Sequence, residues 1–139
     1  MSVRVRYARK ERLARKLHAL APQAERELTE AALKGAREVV DAAKKFVPVR
    51  DGVLRDSGAG VLLPETAQRQ RVVAAAVFRA PHAHLVEFGT AERFHKSGKS
   101  VGSAPAQPFL FPAYRIMKRR IKGRMSRAIT KSLKAVARA

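Results

Sequence analysis

A chain of 139 residues with 46% hydrophobic and 29% charged residues has the composition of one globular domain rather than of a disordered segment. The absence of cysteine excludes a disulfide framework, a thiolate metal site and a cysteine nucleophile. The longest apolar run, residues 72–78, is far shorter than the roughly 20 residues of a membrane-spanning helix, so no membrane partner is expected.

The formal net charge of +19 is concentrated at the two ends of the chain. Residues 114–139 hold ten Lys and Arg and no acid, and residues 1–20 hold seven against the single acid Glu11. In between, thirteen basic residues face ten acidic ones, so the middle of the chain is nearly balanced. The ends are therefore expected to attract polyanions, which include nucleic acid, acidic protein surfaces and anionic lipid.

The first third of the chain has the pattern of a helix. From Leu13 to Phe46, apolar residues recur every three or four positions. Because proline is tolerated mainly in a first helical turn, Pro22 predicts a boundary. We expect a basic arm or short helix over residues 1–21, and a long helix over 22–46 that opens the main domain, 22–139.

A structural turn is predicted where the long helix stops. Pro48 ends the helix, Asp51-Gly52 forms the tightest point, and Leu54 is the first apolar residue beyond it.

Strand signals follow the turn. Residues 53–63 read as a weak strand broken by Gly58 and Gly60, residues 64–70 as a hairpin loop, and residues 71–78 as the clearest strand. Residues 91–104 are small and polar, which predicts a long mobile loop.

The last element is an amphipathic helix that begins near Leu110. Its predicted apolar stripe consists of Leu110, Ala113, Met117, Ile121, Met125, Ala128, Ile129, Leu133 and Val136. The predicted fold class is therefore α+β, with a long N-terminal helix, a small antiparallel β-sheet and a long C-terminal helix.

Candidate sites for chemistry are few. His82, His84 and Glu87, with His95 as a distant fourth, resemble a metal set, but neither strand nor helix spacing brings the first three together. Gly98-Lys99-Ser100 is only the end of a phosphate-loop motif, because Arg93 stands where the first glycine must be. We expect no metal, no cofactor and no enzymatic reaction.

The run 82–90 (HAHLVEFGT) is the least generic in the chain. Gly89 after an apolar stretch predicts a sharp turn with positive φ. Two interpretations of Glu87 remain open: its carboxylate caps backbone amides or pairs with an arginine at this turn, or it contacts a neighbouring subunit.

Three motifs together resemble a known family. They are residues 47–57 (VPVRDGVLRDS), 83–90 (AHLVEFGT) and 105–113 (PAQPFLFPA). In order and spacing they are similar to the neck or tail-completion proteins of long-tailed lambda-like phages, which also occur in prophages and gene-transfer particles.

The resemblance implies a virion structural protein of the head–tail neck or tail end. It would form a ring of identical subunits that joins the tail to the head connector. The implied partners are other copies of the chain, head-connector or stopper proteins, tail-terminator or tail-tube proteins, and DNA passing through the channel. The implied location is the virion, with the host cytoplasm before assembly. The residues expected at subunit or partner contacts are Glu87, Phe88, Gly89, Thr90, Phe109, Arg119, Arg120, Lys122 and Arg124.

The main alternative is a nucleic-acid-binding protein without sequence specificity, which would grip phosphates with its basic ends. The lack of tryptophan and of a basic surface interleaved with aromatics argues against it. A third hypothesis is a basic amphipathic protein that binds to a membrane surface.

The resemblance generates one prediction about the basic helix. Replacing Arg119, Arg120, Lys122 and Arg124 with Glu should block the joining of heads to tails, because the replaced charges would repel an acidic neighbour. The yield of infectious particles measures this, and a normal yield would contradict it.

Overall fold

The computed structural model describes residues 2–63 and 74–138, without most side chains before residue 22 and those of 136 and 137. Within these residues the α+β class predicted from the sequence is confirmed. The elements in chain order are α1 (Ser2–Ala43), α2 (Val53–Asp56), β1 (Gly58–Leu62), β2 (Ala74–Phe78), α3 (Ala83–Phe88), β3 (Thr90–Phe94), β4 (Ser100–Ala104) and α4 (Leu110–Arg138).

Helix α1 runs without interruption through Pro22. The predicted helix boundary at Pro22 is therefore wrong. Proline in a helix interior costs about 3 kcal/mol, but strong helix formers such as Leu20 and Gln23 lie on both sides, and helix propagation is cooperative. The helix ends at Ala43 rather than at Phe46. One further turn follows, in which the Val47 N–H donates to the Ala43 carbonyl at 3.1 Å. The division into an arm and a main domain stays a prediction.

Helices α1 and α4 pack against each other in antiparallel directions. Ala43 and Ala113 meet in the core, and a Cβ atom on Gly35 would lie 3.3 Å from the Ile121 side chain. At 1.5 Å per residue, α1 is about 63 Å long and α4 about 44 Å. The first turns of α1 therefore extend past the end of α4.

The antiparallel sheet β1–β2 packs on α1 as well, in a register that runs from Gly58↔Phe78 to Leu62↔Ala74. A Cβ atom on Gly60 would lie only 2.8 Å from the backbone nitrogen of Arg37. The prediction that Gly58 and Gly60 break the strand is wrong, because these glycines let the strand approach the helix this closely. The predicted loop 64–70 and the first three residues of the predicted strand 71–78 lie outside the described residues.

The loop predicted over residues 91–104 is instead a β-hairpin. Strands β3 and β4 pair antiparallel with an irregular register, and the His95 N–H donates to the Lys99 carbonyl at 2.8 Å across the turn. Every residue from 91 to 108 is exposed. In the described part of the chain, the predicted small antiparallel sheet takes the form of two two-stranded sheets, β1–β2 and β3–β4.

The packed stripe of α4 follows the prediction as far as Ala128 and then departs from it. Ser132 is 5% exposed, whereas Ile129 and Leu133 are 46% and 56% exposed. The Ser132 hydroxyl donates to the Ala128 carbonyl at 3.0 Å and reaches the Glu27 carboxylate at 3.2 Å, which satisfies its polar group inside the helix pair.

The core lies where the last turn of α1, the first turn of α4 and the structural turn converge. Its buried members are Ala43, Val47, Leu54, Ala80, Phe109 and Ala113. Phe109 is the largest fully buried side chain among the described residues, and its ring meets the edge of Phe78 at a centroid distance of 4.9 Å.

The contact of Gly60 with α1 predicts that Gly60→Ala lowers the free energy of unfolding by about 1–3 kcal/mol, because the new methyl group would overlap the helix backbone. Gly123→Ala is the matched control. Its nearest neighbour is a flexible arginine end 3.5 Å away, so the better helix former should stabilise by up to about 1 kcal/mol. Urea unfolding measures both, and equal effects of the two changes would contradict the account.

Candidate functional site

Glu87 on α3 caps the start of α4. Its Oε2 atom accepts hydrogen bonds from the backbone N–H groups of Phe109 and Leu110 at 2.8 and 3.0 Å. Its Oε1 atom accepts from the N–H of Phe111 at 3.1 Å. The next residue, Pro112, has no N–H. One side chain therefore satisfies all the amide donors that the first turn of α4 leaves unpaired.

Burial makes this cap strong. Glu87 is 6% exposed, and its carboxylate lies at the positive end of a 29-residue helix. Hydrogen bonds from amides to an ionised carboxylate are about twice as strong as neutral ones. The prediction that Glu87 caps backbone amides is confirmed.

Gly89 turns the chain from α3 into β3. Its φ is 76° and its ψ is 179°, so the predicted positive φ is confirmed. A Cβ atom there would lie 2.8 Å from the backbone nitrogen of Ala106. Glycine is required on both counts.

Two hydrogen bonds hold the segment that precedes α4 against this corner. The Thr90 hydroxyl accepts from the Ala104 N–H at 2.9 Å, and the Gln107 N–H donates to the Val86 carbonyl at 2.8 Å. The second and third sequence motifs are thus bound directly to each other.

The structural turn lies on the other side of the core. Gly52 has a φ of 75°, and its carbonyl accepts from the Asp56 N–H at 2.9 Å. Leu54 points into the core at 5% exposure, whereas Pro48 and Asp51 are exposed. The turn predicted from the sequence is present.

All three motifs line one open groove of about 680 Å³. Its wall is mainly apolar, with arginines at its rim. The lining residues are Pro48, Arg50, Asp51, Gly52, Val53, Leu54, His82, Leu85, Val86, Thr90, Arg93, Ala104, Pro105 and Gln107. Grooves of this volume are of the size that takes a peptide segment or small ligand.

The four basic residues predicted at a partner contact fall into two pairs. Arg119 and Lys122 are exposed. Arg124 instead donates to Glu38 on α1 at 2.6 Å, and Arg120 lies 3.6 Å from the same carboxylate. Reversing all four charges would therefore disturb the α1–α4 pair as well as the surface, so Arg119 and Lys122 are the cleaner probes.

The bond between helices also sets the ionisation of Glu38. The hydrogen bond from Arg124 holds the pKa of this carboxyl below its usual value, with further lowering by the charges of Arg124, Arg120 and Lys34 against an opposing effect of burial. Nearer the end of α4, a hydrogen bond from Lys131 lowers the pKa of Glu27. Sequence reasoning missed both acids, although their spacing of eleven residues places them on one face of α1.

The other residues predicted at subunit contacts are partly buried and partly exposed. Phe88 is 68% exposed, and its ring meets that of Phe111 at a centroid distance of 6.0 Å. Phe109 is 1% exposed and belongs to the core, and the Glu87 carboxylate is occupied by α4. The roles of these residues at subunit contacts stay predictions, and Phe88 is the member with a free surface.

The structure also bears on metal and membrane binding. In the described part of the chain, no group of three histidine or acidic residues is arranged to hold a metal ion. Across the same residues, no helix has the length and apolar character that crossing a bilayer requires.

The cap predicts that Glu87→Gln lowers the free energy of unfolding by about 2 kcal/mol, because the amide loses the charge and turns an NH₂ group toward N–H donors. Glu92→Gln is the control. Glu92 is exposed and accepts only from Ser100 in the described structure, so its change should stay within about 0.5 kcal/mol. Chemical denaturation measures both, and a Glu87→Gln variant as stable as the control would refute the cap's importance.

The lowered pKa of Glu38 predicts a pH-dependent contribution to stability. A carboxyl whose folded-state pKa is depressed stabilises the fold above its ordinary value of 4.5, and this contribution is lost as the pH falls through the folded pKa. Glu38→Gln should therefore be less stable than the wild type near neutral pH, and the difference should shrink in acid.

Denaturant unfolding between neutral and acidic pH measures this difference. Glu30→Gln, on an exposed position of α1, is the control that should track the wild type. A deficit of Glu38→Gln that is constant with pH would contradict the assignment.

Comparison with protein families matches residues 11–89 to the HK97-gp10-like family, described as "Bacteriophage HK97-gp10, putative tail-component". Neither the curated proteins nor the solved structures give a match. The matched region covers more than half of the chain and includes the structural turn, the β1–β2 sheet and α3 up to Gly89. The chain therefore belongs to the HK97-gp10-like family of phage tail components.

Proposed function

We propose that the chain is a structural protein of the virion, placed at the head–tail neck or tail end, where copies of it form a ring that joins the tail to the head connector. Membership of a phage tail-component family carries this proposal. The geometry agrees with it, because the one buried acid of the central motif holds a helix in place and is not free for catalysis. On this proposal the chain catalyses no reaction and resides in the particle after assembly in the host cytoplasm.

The β3–β4 hairpin is the element best suited to reach a neighbouring subunit. Phe94 and Val101 on it are 64% and 57% exposed. An isolated two-stranded hairpin is marginally stable in water, so packing against another surface would stabilise it. On this proposal, the exposed side chains of Phe94 and Val101 supply the apolar part of the contact.

The groove lined by the three motifs is the surface proposed to receive that hairpin. Val53, at its edge, is 57% exposed, and Leu85 is 36% exposed. A contact between two different surfaces of identical subunits closes into a ring when the rotation allows it.

Charge balance favours the groove as the place for this self-contact. Each copy carries a net charge of +19, so contacts between copies must avoid the basic ends. Arg50-Asp51 and Arg55-Asp56 pair opposite charges beside the groove. The hairpin carries Arg93, Lys96 and Lys99 against Glu92, a net charge of +2 that is far smaller than that of either basic end.

Weakening the hairpin contact tests the ring. Phe94→Ser combined with Val101→Ser should reduce the amount of chain retained in particles, by about tenfold or more if these side chains are central to the contact. Ile129→Ser is the control, since Ile129 is 46% exposed and lies on α4. Immunoblots of purified particles measure retention, and circular dichroism verifies folding. A double variant retained like the control would contradict the hairpin's role.

A second candidate function has one observation in its favour. The last turns of α4 carry a concave surface of about 490 Å³ lined by Arg127, Lys131, Lys134 and Arg138, with Thr130 and Ala135. The four basic residues are three or four positions apart, so their charges lie along one side of the helix, where they could contact successive phosphates of a duplex. Lys131 also pairs with Glu27 at 3.1 Å, which reduces the charge available to a ligand.

Salt dependence separates the two functions. A four-phosphate clamp predicts that the logarithm of the DNA association constant falls with the logarithm of salt concentration with a slope of about −4. Replacing Lys134 with Ala should then make the slope shallower by about 1. Fluorescence anisotropy with a labelled duplex measures this, and a slope near zero, or one that Lys134→Ala leaves unchanged, would reject the clamp and favour the structural role.

A further inference from the structure

Three aromatic and two basic side chains form an exposed patch at the start of α4. Phe88, Phe111 and Tyr114 are 68%, 52% and 46% exposed, and Arg115 and Lys118 are exposed beside them. We call these five residues the α4 patch. None of the five side chains lines the groove, and the cap uses only the backbone N–H of Phe111.

The patch is held in a fixed arrangement. Phe111, Tyr114, Arg115 and Lys118 are spaced at i, i+3, i+4 and i+7, so they share one face of α4. Phe88 joins them from α3, where its ring meets Phe111 edge-on at 6.0 Å and an interplanar angle of 60°. The carboxylate of the neighbouring Glu87 binds the N–H of Phe111, which holds together the two backbone segments that carry these rings.

This composition is that of a protein contact. Aromatic residues and arginine dominate the binding energy of interfaces, and preordered side chains lose little entropy on binding. Exposed aromatics grouped on one face are informative, whereas single exposed apolar residues are ordinary.

Charge decides which protein fits. Helix α4 holds no acid, and its exposed face continues from the patch to Lys122. A second copy would bring a further +19, and each of its exposed acids in the described structure has a Lys or Arg within four positions along the chain, so it offers no acidic surface to this patch. Duplex nucleic acid would satisfy the cations but offers no unstacked base for the phenyl rings.

We propose that the α4 patch binds a different protein of the particle, an acidic one whose surface presents an apolar pocket flanked by carboxylates. The aromatic rings fill the pocket, and Arg115 and Lys118 pair with the carboxylates. This inference rests on the proposed function, because it takes the partner from the same particle.

Site-specific photo-crosslinking in particle-producing cells tests the proposal. The photoreactive residue p-benzoylphenylalanine replaces Tyr114 in the full chain, particles are purified after irradiation, and the adduct is identified by mass spectrometry. The matched control places the same residue at Ile116, which is 63% exposed on the opposite side of α4.

The expected result is an adduct from position 114, and not from 116, with a particle protein of net negative charge. Adding Arg115→Glu and Lys118→Glu should reduce that adduct about tenfold or more, because the new charges repel the flanking carboxylates. Both basic side chains are exposed, so these variants should fold as the wild type, which circular dichroism verifies.

Other outcomes would overturn the proposal in distinguishable ways. An adduct between two copies would assign the patch to the ring contact, and an adduct with DNA would favour the clamp. If the chain is present in particles but position 114 gives no more adduct than 116, only the patch proposal fails. If the chain is absent from particles, the proposed function fails as well.

Discussion

Glu87 supplies the interaction on which the other parts of this structure depend. Its carboxylate binds three successive amides at the start of α4, and Pro112 removes the need for a fourth acceptor. Because the acid lies on α3, the cap fixes α3 against α4 and brings Phe109 into the core. The same constraint sets Gly89 at its corner and leaves Phe88 beside Phe111 on the surface. One buried charge thus connects the core, the groove and the exposed patch.

The distribution of acids explains how so basic a chain folds and what it leaves outside. Glu27 and Glu38 bind cations of α4 across the helix pair, and Glu87 binds its N-terminus. These three acids join α4 to the rest of the chain, and most of the basic side chains of α4 face outward. A surface of this kind repels copies of itself and attracts acidic neighbours. This agrees with the proposal that contacts between copies use the less basic middle of the chain and that the basic helix contacts other proteins.

Sequence reasoning succeeded where a local rule and the tertiary structure agree. The positive φ of Gly89, the cap at Glu87, the turn at Leu54 and the start of the last helix all follow from short motifs with specific backbone needs. It failed where packing between distant segments decides the outcome, as at Gly60, whose place in a strand depends on the nearness of Arg37.

Two further failures have physical causes. The sequence predicts a helix boundary at Pro22, but the helix propensity of the flanking residues outweighs the cost of a single proline. Residues 91–104 lack apolar periodicity because both faces of that hairpin are exposed, so no buried face imposes the alternation that reveals a strand. Phe109 is buried whereas Phe111, two residues later, is exposed. This difference depends on how the Glu87 cap orients the first turn of α4, which the sequence alone does not show.

The central claim is that this chain is a structural part of a phage-like particle. Quantitative mass spectrometry of density-purified particles, with the chain counted against the major capsid protein, tests it most directly. We expect a low, fixed number of copies per particle, as a single ring at the neck or tail end requires. Absence from the particles, with the chain recovered on nucleic acid and released by nuclease, would contradict it.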